Sequence, residues 1–259
     1  MNVRSWLKKA KTEVPSLDAE LILAHVLGVD RVFFVSHDLD ELTSKQEFVA
    51  DELVKKRADH VPLAYLTNYK EFYGRGFFVN KDVLIPRPET ETIIDLTKEL
   101  APKSILEVGT GSGCIAITAK LELPNTKVRA VDISEAALAV ARQNAANLGA
   151  ELDELKLSDL LNDVSLGDTD LVIANLPYVN PEWDFLSPEL QKEPSLALYA
   201  DDNGLSLIKR LIVELKSKDY RGSLILESDI SQQPDIIAFA KMAGFKHQKT
   251  VELITLFER

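Results

Sequence analysis

The stretch "LEVGTGSGC", residues 106–114, decides how the fold is read. An apolar run, "SILEVG" from Ser104, meets Gly109, Gly111 and Gly113, and a helical pattern, "SGCIAITAKLE", begins at once behind them. Glycines between a strand and its helix permit a tight turn and let a ligand lie against bare backbone. Asp132 closes the next apolar run, "KVRAVD". An acid about 20 residues beyond such a turn is placed to accept hydrogen bonds from ribose hydroxyls. The spacing here is G-x-G-x-G rather than the G-x-G-x-x-G of a dinucleotide fingerprint, which suits a ligand without a pyrophosphate.

Downstream the rhythm continues: a helix in "SEAALAVARQNAANLG" with Ser134 as N-cap and Gly149 past its end, strands in "LKLSD" and "DLVIAN", a helix in "GLSLIKRLIVELKS", a strand in "GSLILES", a helix in "QPDIIAFAKMAG", and two closing strands in "FKHQKTVELITLFER". This alternation predicts an α/β fold with a doubly wound sheet, mostly parallel, ending in an antiparallel hairpin. Upstream, residues 1–70 read as helical, with Leu17, Leu21 and Ala24 on one face and Ser44 with Glu47 as a capping box. "EFYGRGFFVNKDVLIP" reads as a β-hairpin around Gly74, Gly76 and Asn80 to Asp82, and "IPRPETE" as a rigid connector into a helix starting near Glu89. The expected domains are therefore 1–70 helical, 71–90 hairpin and connector, and 91–259 the α/β domain.

The chain has 259 residues, 46% hydrophobic and 27% charged, enough for a sizeable core. No apolar run approaches the roughly 20 residues that span a bilayer, no apolar segment follows the N-terminal charges, and there is one cysteine, so a cytosolic (cytoplasmic) protein is the expectation. A net charge of −11 argues against a bulk nucleic-acid binder. Lys55, Lys56 and Arg57 read as a solvated helix end, Cys114 as a small buried residue, and His25, His37, His60 and His247 show no metal-ligand spacing, so no metal is expected.

A second chemical signal is "IANLPYVN", residues 173–180, in which a buried strand stops on a polar amide. Asn175 offers a side-chain carbonyl, the main chain at Leu176 or Pro177 a second acceptor, and Tyr178 a flat face. Two acceptors and a ring make a receptor for a planar –NH2, either a primary amide or an exocyclic base amine. "LSD" ends the third strand with Asp159, placed to serve the adenine amino group of a nucleoside, with Leu160 packing on the ring.

Together "LEVGTGSG", "AVD" and "NLPY" resemble a class I S-adenosylmethionine-dependent methyltransferase of the amino-methylating kind, whose fourth-strand motif is usually (Asn/Asp/Ser)-Pro-Pro-(Tyr/Phe); Leu176 departs from it. "PLAYLTNYKEFYGRGFFVNKDVLIPRPETE", residues 62–91, and "KEPSLALYADDNGLSLIKRLI" resemble segments of the release factor glutamine methyltransferases, the HemK/PrmC family, and the likeness spans residues 17–245. "KTVELITLFER" lacks the polar loop that often closes the family, and Leu160 stands where the family can place a tryptophan.

The resemblance implies a Rossmann-like methyltransferase domain that binds S-adenosylmethionine and releases S-adenosylhomocysteine. It places Gly109, Thr110, Gly111, Ser112, Gly113, Asp132, Asp159, Leu160 and Asn175 at the cofactor. It places Asn175, Leu176, Pro177 and Tyr178 at the substrate, with Asn175, Pro177 and Tyr178 catalytic. The implied partner is a peptide chain release factor, docked in part by the N-terminal helices and methylated on the glutamine of its Gly-Gly-Gln loop. Arg87 and Glu89 either contact the cleft or fix the connector. Two other readings stay open: an amino methyltransferase acting on adenine or guanine, or on a ribosomal protein glutamine, and a non-catalytic S-adenosylmethionine-binding scaffold.

Overall fold

The computed structural model describes residues 1–183 and 186–259. The chain divides into two compact units, Met1–Tyr69 with Ser187–Lys192, and Lys70–Leu186 with Glu193–Arg259.

The first unit packs α1 (Val3–Ala10), α2 (Ser16–Leu27), α3 (Ser44–Ala58) and α4 (Leu63–Thr67) around Trp6, Ile22 and Leu23. The buried face of α2 is Ala19, Ile22, Leu23 and Ala24, whereas Leu17 is exposed. Residues 21–27, "LILAHVL", are apolar nearly all round, so periodicity alone does not choose a face; the packing partners do. The capping box of α3 is formed one residue earlier than expected, by Thr43 and Gln46. Glu47 instead accepts from the N-terminal amine at 3.1 Å. Arg57 is a second correction: it is not a solvated helix end but is held by Asp18 at 2.6 Å and Glu189 at 2.5 Å.

The second unit opens with a tight hairpin, β1 (Lys70–Phe72) and β2 (Arg75–Phe77), turning at Tyr73 and Gly74 and burying Phe72 and Phe77 edge to face. The hairpin stops there, short of the expected span. Asn80 to Asp82 forms a separate turn in which Asn80 Oδ1 accepts from the Asp82 N–H at 2.9 Å. A short turn at Pro88–Thr90 leads into α5 (Glu91–Leu100). Then follow β3 (Ser104–Val108), α6 (Cys114–Glu122), β4 (Lys127–Asp132), α7 (Glu135–Leu148), β5 (Glu154–Leu157), β6 (Leu171–Ala174), α8 (Ser195–Leu198), α9 (Ser206–Ser217), β7 (Ser223–Glu227), α10 (Gln233–Met242), β8 (Lys246–Val251) and β9 (Ile254–Glu258).

Their strands form one sheet in the order β5-β4-β3-β6-β7-β9-β8, in which only β9 is reversed, antiparallel to both its neighbours β7 and β8. Ser134 caps α7 by accepting from the Ala137 N–H, and Gly149 ends it in the left-handed region. Two apolar clusters cover the sheet, one including α9 and α10, the other α5 and α6. The strand order reverses at β3, which lies between β4 and β6. Ligands of such sheets bind outside the carboxyl ends of the strands at this reversal.

Candidate functional site

At the end of β3 the chain turns sharply because the Gly109 and Thr110 N–H groups both donate to the Val131 carbonyl, at 2.9 and 3.1 Å. Gly109 has φ +80°, and a Cβ there would lie 3.0 Å from Leu176 Cδ2. The bare α-carbon is what lets Leu176, buried at the end of β6, pack beneath the turn. A Cβ on Gly113 would lie 2.7 Å from Ile117 Cδ1 and 3.1 Å from the Ala141 side chain, so this glycine sets how closely α7 approaches.

A cavity of about 310 Å³ opens beside the turn. Of the expected site residues, Gly109, Thr110, Gly111, Ser112, Asp132, Asp159, Leu160, Asn175, Leu176 and Pro177 line it; Gly113 and Tyr178 do not. Asp132, at the end of β4, accepts from the Gly111 N–H at 2.8 Å and the Ser134 N–H at 2.9 Å. Burial raises its carboxyl, opposed by these backbone N–H groups. Asp159 is ion-paired with Arg210 at 2.8 Å. Leu160 holds a positive φ of 48°, uncommon for a side chain of its kind, with the Ser158 hydroxyl donating to its carbonyl at 2.9 Å.

The sequence reading passed over Glu107. It lies inside β3 and lines the cavity. Its Oε2 accepts from the Thr110 hydroxyl at 2.6 Å and the Ala116 N–H at 3.0 Å, while Oε1 has no partner among the described residues. Burial pushes its carboxyl up to about 8. A buried oxygen without a donor is costly unless a ligand supplies one. Cys114, also buried, has its thiol pushed up by burial and by Glu107, so it is poorly disposed to act as a thiolate.

Asn175 follows β6. Its amide nitrogen donates to the Thr90 hydroxyl oxygen at 3.4 Å, and Thr90 in turn donates to Glu227 Oε2 at 2.7 Å. Glu227, at the end of β7, also accepts from the Tyr178 hydroxyl at 3.3 Å. Burial raises its carboxyl, and hydrogen bonds from Thr90, Tyr178 and Asn175 oppose that rise. Tyr178 packs against the apolar cluster rather than along the cavity, and burial beside Glu227 raises its phenol. Its carbonyl accepts from Gln232 at 2.8 Å.

The connector is fixed from two sides. Glu193 accepts from the Ile85 N–H at 3.0 Å and pairs with Arg87 at 2.5 Å. Asn144, on α7, bonds both Phe78 backbone groups and the Ser112 carbonyl, tying the segment that leads from β2 into the connector to the glycine turn. An acid inside an apolar run, as in "SILEV" and "SLILE", is the sign by which Glu107 and Glu227 can be found; nothing local marks Asn144.

A family model described as the PrmC N-terminal domain matches residues 2–67, and one described as a methyltransferase small domain matches 89–186. A release factor glutamine methyltransferase of Koribacter versatilis is 43% identical, covering 79% of this chain and 75% of its own. One from Neisseria gonorrhoeae is 36% identical, covering 95% and 91%. Among solved structures, a ribosomal protein L11 methylase from Lactobacillus delbrueckii superposes with a TM-score of 0.51 at 25% identity, covering 70% of this chain and 83% of that one. A methyltransferase from Pyrococcus furiosus gives 0.55 at 17% identity, over 78% and 95%, and shows the fold. With a strand-reversal cavity beside a glycine turn, and this degree of identity along both units, the chain belongs to the release factor glutamine methyltransferase family.

Proposed function

We propose that this chain transfers a methyl group from S-adenosylmethionine to the side-chain amide nitrogen of the glutamine in the Gly-Gly-Gln motif of peptide chain release factors. S-adenosylmethionine is the methyl donor of this class of enzyme, and the cavity suits it. Asp132 has lone pairs left for ribose hydroxyls after its two backbone bonds. The unpartnered Glu107 Oε1 calls for a cationic or N–H donor, which an α-ammonium supplies. Space at Gly111, where a Cβ would meet nothing within 4 Å, leaves the turn's backbone open. Leu160 and Leu176 supply apolar wall, with Asp159 at the same cavity.

When bound, the donor supplies an electrophilic methyl on sulfonium. The residues of this chain supply orientation. Asn175 Oδ1 and the Pro177 carbonyl accept the two N–H bonds of the substrate carboxamide. That hold orients the nitrogen, raises its electron density and stabilises the positive charge that develops there. Positioning of this kind contributes about 7–11 kcal/mol in well-oriented systems. Transfer to the neutral amide leaves an N-methylated amide cation, which is strongly acidic and releases its proton to water, so no dedicated base is required. Tyr178 acts from behind, fixing the loop through Glu227. The helical unit 1–70 docks the release factor, and residues 91–259 perform the transfer.

The observation that carries this reading is Asn175 at the cavity wall with its amide nitrogen already committed to Thr90. The test is transfer of labelled methyl to a release factor, to its loop Gln→Ala variant, and to RNA and DNA. Label on the first alone is expected. Label on nucleic acid, or on the Gln→Ala variant, contradicts the reading.

A further inference from the structure

The cavity wall contains a directional chain of hydrogen bonds whose far end is not at the cavity. Glu227 Oε2 accepts from Thr90 at 2.7 Å, and Thr90 Oγ1 accepts from Asn175 Nδ2 at 3.4 Å. We propose that Thr90 and Glu227 are positioning residues that set the donor–acceptor polarity of the substrate pocket, and so make it select a carboxamide over a carboxylate. The inference rests on the glutamine-methylation reading above and deepens it.

The argument is one of counting protons. Against its burial, three donors, Thr90, Tyr178 and Asn175, favour the ionised form of Glu227, and an ionised carboxylate accepts only. Glu227 lies 1% exposed, with hydroxyls of Thr90 and Tyr178 converging on its two oxygens. A threonine hydroxyl carries one proton, and Thr90 gives its proton to Glu227. Toward Asn175 the Thr90 oxygen can then only accept, so the group it faces must be the amide –NH2. The Asn175 amide is planar with its oxygen opposite its nitrogen, so anchoring Nδ2 on Thr90 leaves Oδ1 for the cavity that Asn175 lines. The two orientations of an asparagine amide have nearly the same shape; only the hydrogen-bond network distinguishes them.

Turned over, Asn175 would present –NH2 to the cavity. That orientation opposes the N–H bonds of a glutamine side chain and favours the oxygens of a glutamate. Specificity is a difference of affinities, and a misplaced donor is an effective way to reject a near-isostere. The arrangement also gives a role to "IPRPETE": its Thr90 is the hydroxyl that links the connector to the two strand ends.

The test uses the full chain with Thr90→Ser, Thr90→Val, Thr90→Ala and Glu227→Gln. Substrates are a release factor with its loop glutamine and the same factor with loop Gln→Glu. Melting temperature and S-adenosylhomocysteine affinity are measured for every variant. Wild type and Thr90→Ser should bind the Gln form in preference and be poorly inhibited by the Glu form. Thr90→Val and Thr90→Ala should lose about tenfold or more in kcat with cofactor affinity held within about threefold. Inhibition of these two by the Glu form should strengthen about tenfold, and Glu227→Gln should move the same way. Thr90→Val matching Thr90→Ser in both turnover and Gln-to-Glu preference overturns the proposal, as does a wild type with no preference in binding. A wild type that prefers to bind the Gln form yet transfers no methyl removes the function reading and leaves the polarity standing. Should Thr90→Val lose its fold, Thr90→Ala and Glu227→Gln carry the same comparison.

Discussion

Glu107 and Glu227 stand in matching places. Each is an acid in a strand of the parallel sheet, each is 1% exposed, and burial raises both carboxyls. They differ in what they do with their oxygens. Glu227 has both taken, by Thr90 and Tyr178, and does not line the cavity. Glu107 lines the cavity and keeps Oε1 without a partner. Burial of a carboxylate is costly in either case. At Glu227 the cost is offset by donors from the protein itself, and the return is a fixed substrate loop. At Glu107 part of the offset is left for a ligand to provide.

The comparison breaks or sharpens most strongly in cofactor binding. Glu107→Gln should weaken S-adenosylhomocysteine about 10–100-fold, the worth of one hydrogen bond to a charged group, while Glu227→Gln changes it less than about threefold. Calorimetric titration of both variants decides; equal losses would erase the distinction.

Stability against pH comes next. The Glu107 carboxyl is raised from 4.5 to about 8, so the folded chain holds a proton that the unfolded chain releases. That contribution is fully present below about pH 4.5 and is lost as pH rises to about 8. The ligand-free protein should therefore lose stability across that window, by roughly 3–4 kcal/mol between pH 5 and 8, and Glu107→Gln should flatten the loss. Thermal melts of both proteins at pH 5 to 8 measure it; parallel curves would show that Glu107 does not titrate there.

The smallest effect is a packing baseline beside Glu107. Gly109→Ala, strained at φ +80° and crowded by Leu176, should cost about 1–2 kcal/mol in denaturant unfolding. Adding Leu176→Ala should return part of that strain, seen as non-additivity in the double variant.

These acids also show where sequence reading ends. The strand at 127–132 and the helix capped by Ser134 and Gly149 form where local pattern and caps agree. The glycine turn and Asp132 are legible because both depend on spacing along one β–α–β segment. Glu227 stands out as an acid in an apolar run, but its role is not legible there, since its meaning lies in Thr90, 137 residues away. The same holds for Arg57, whose sequence neighbours are lysines but whose structural neighbours are Asp18 and Glu189. Tyr178 was expected to offer a flat face; its ring packs into the apolar cluster and its hydroxyl is drawn to Glu227. The capping box slipped by one residue because Thr43 and Ser44 both head a pattern ending in Gln or Glu, and only backbone conformation separates them.

The central claim is that Asn175 accepts the substrate carboxamide and thereby speeds the transfer itself. The most direct measurement is single-turnover methylation of a release factor by Asn175→Ala, with S-adenosylhomocysteine affinity determined on the same protein. The account predicts a rate lowered about 100-fold or more, as for loss of one charge-stabilising partner, with cofactor affinity retained within about tenfold. A rate equal to wild type would contradict it.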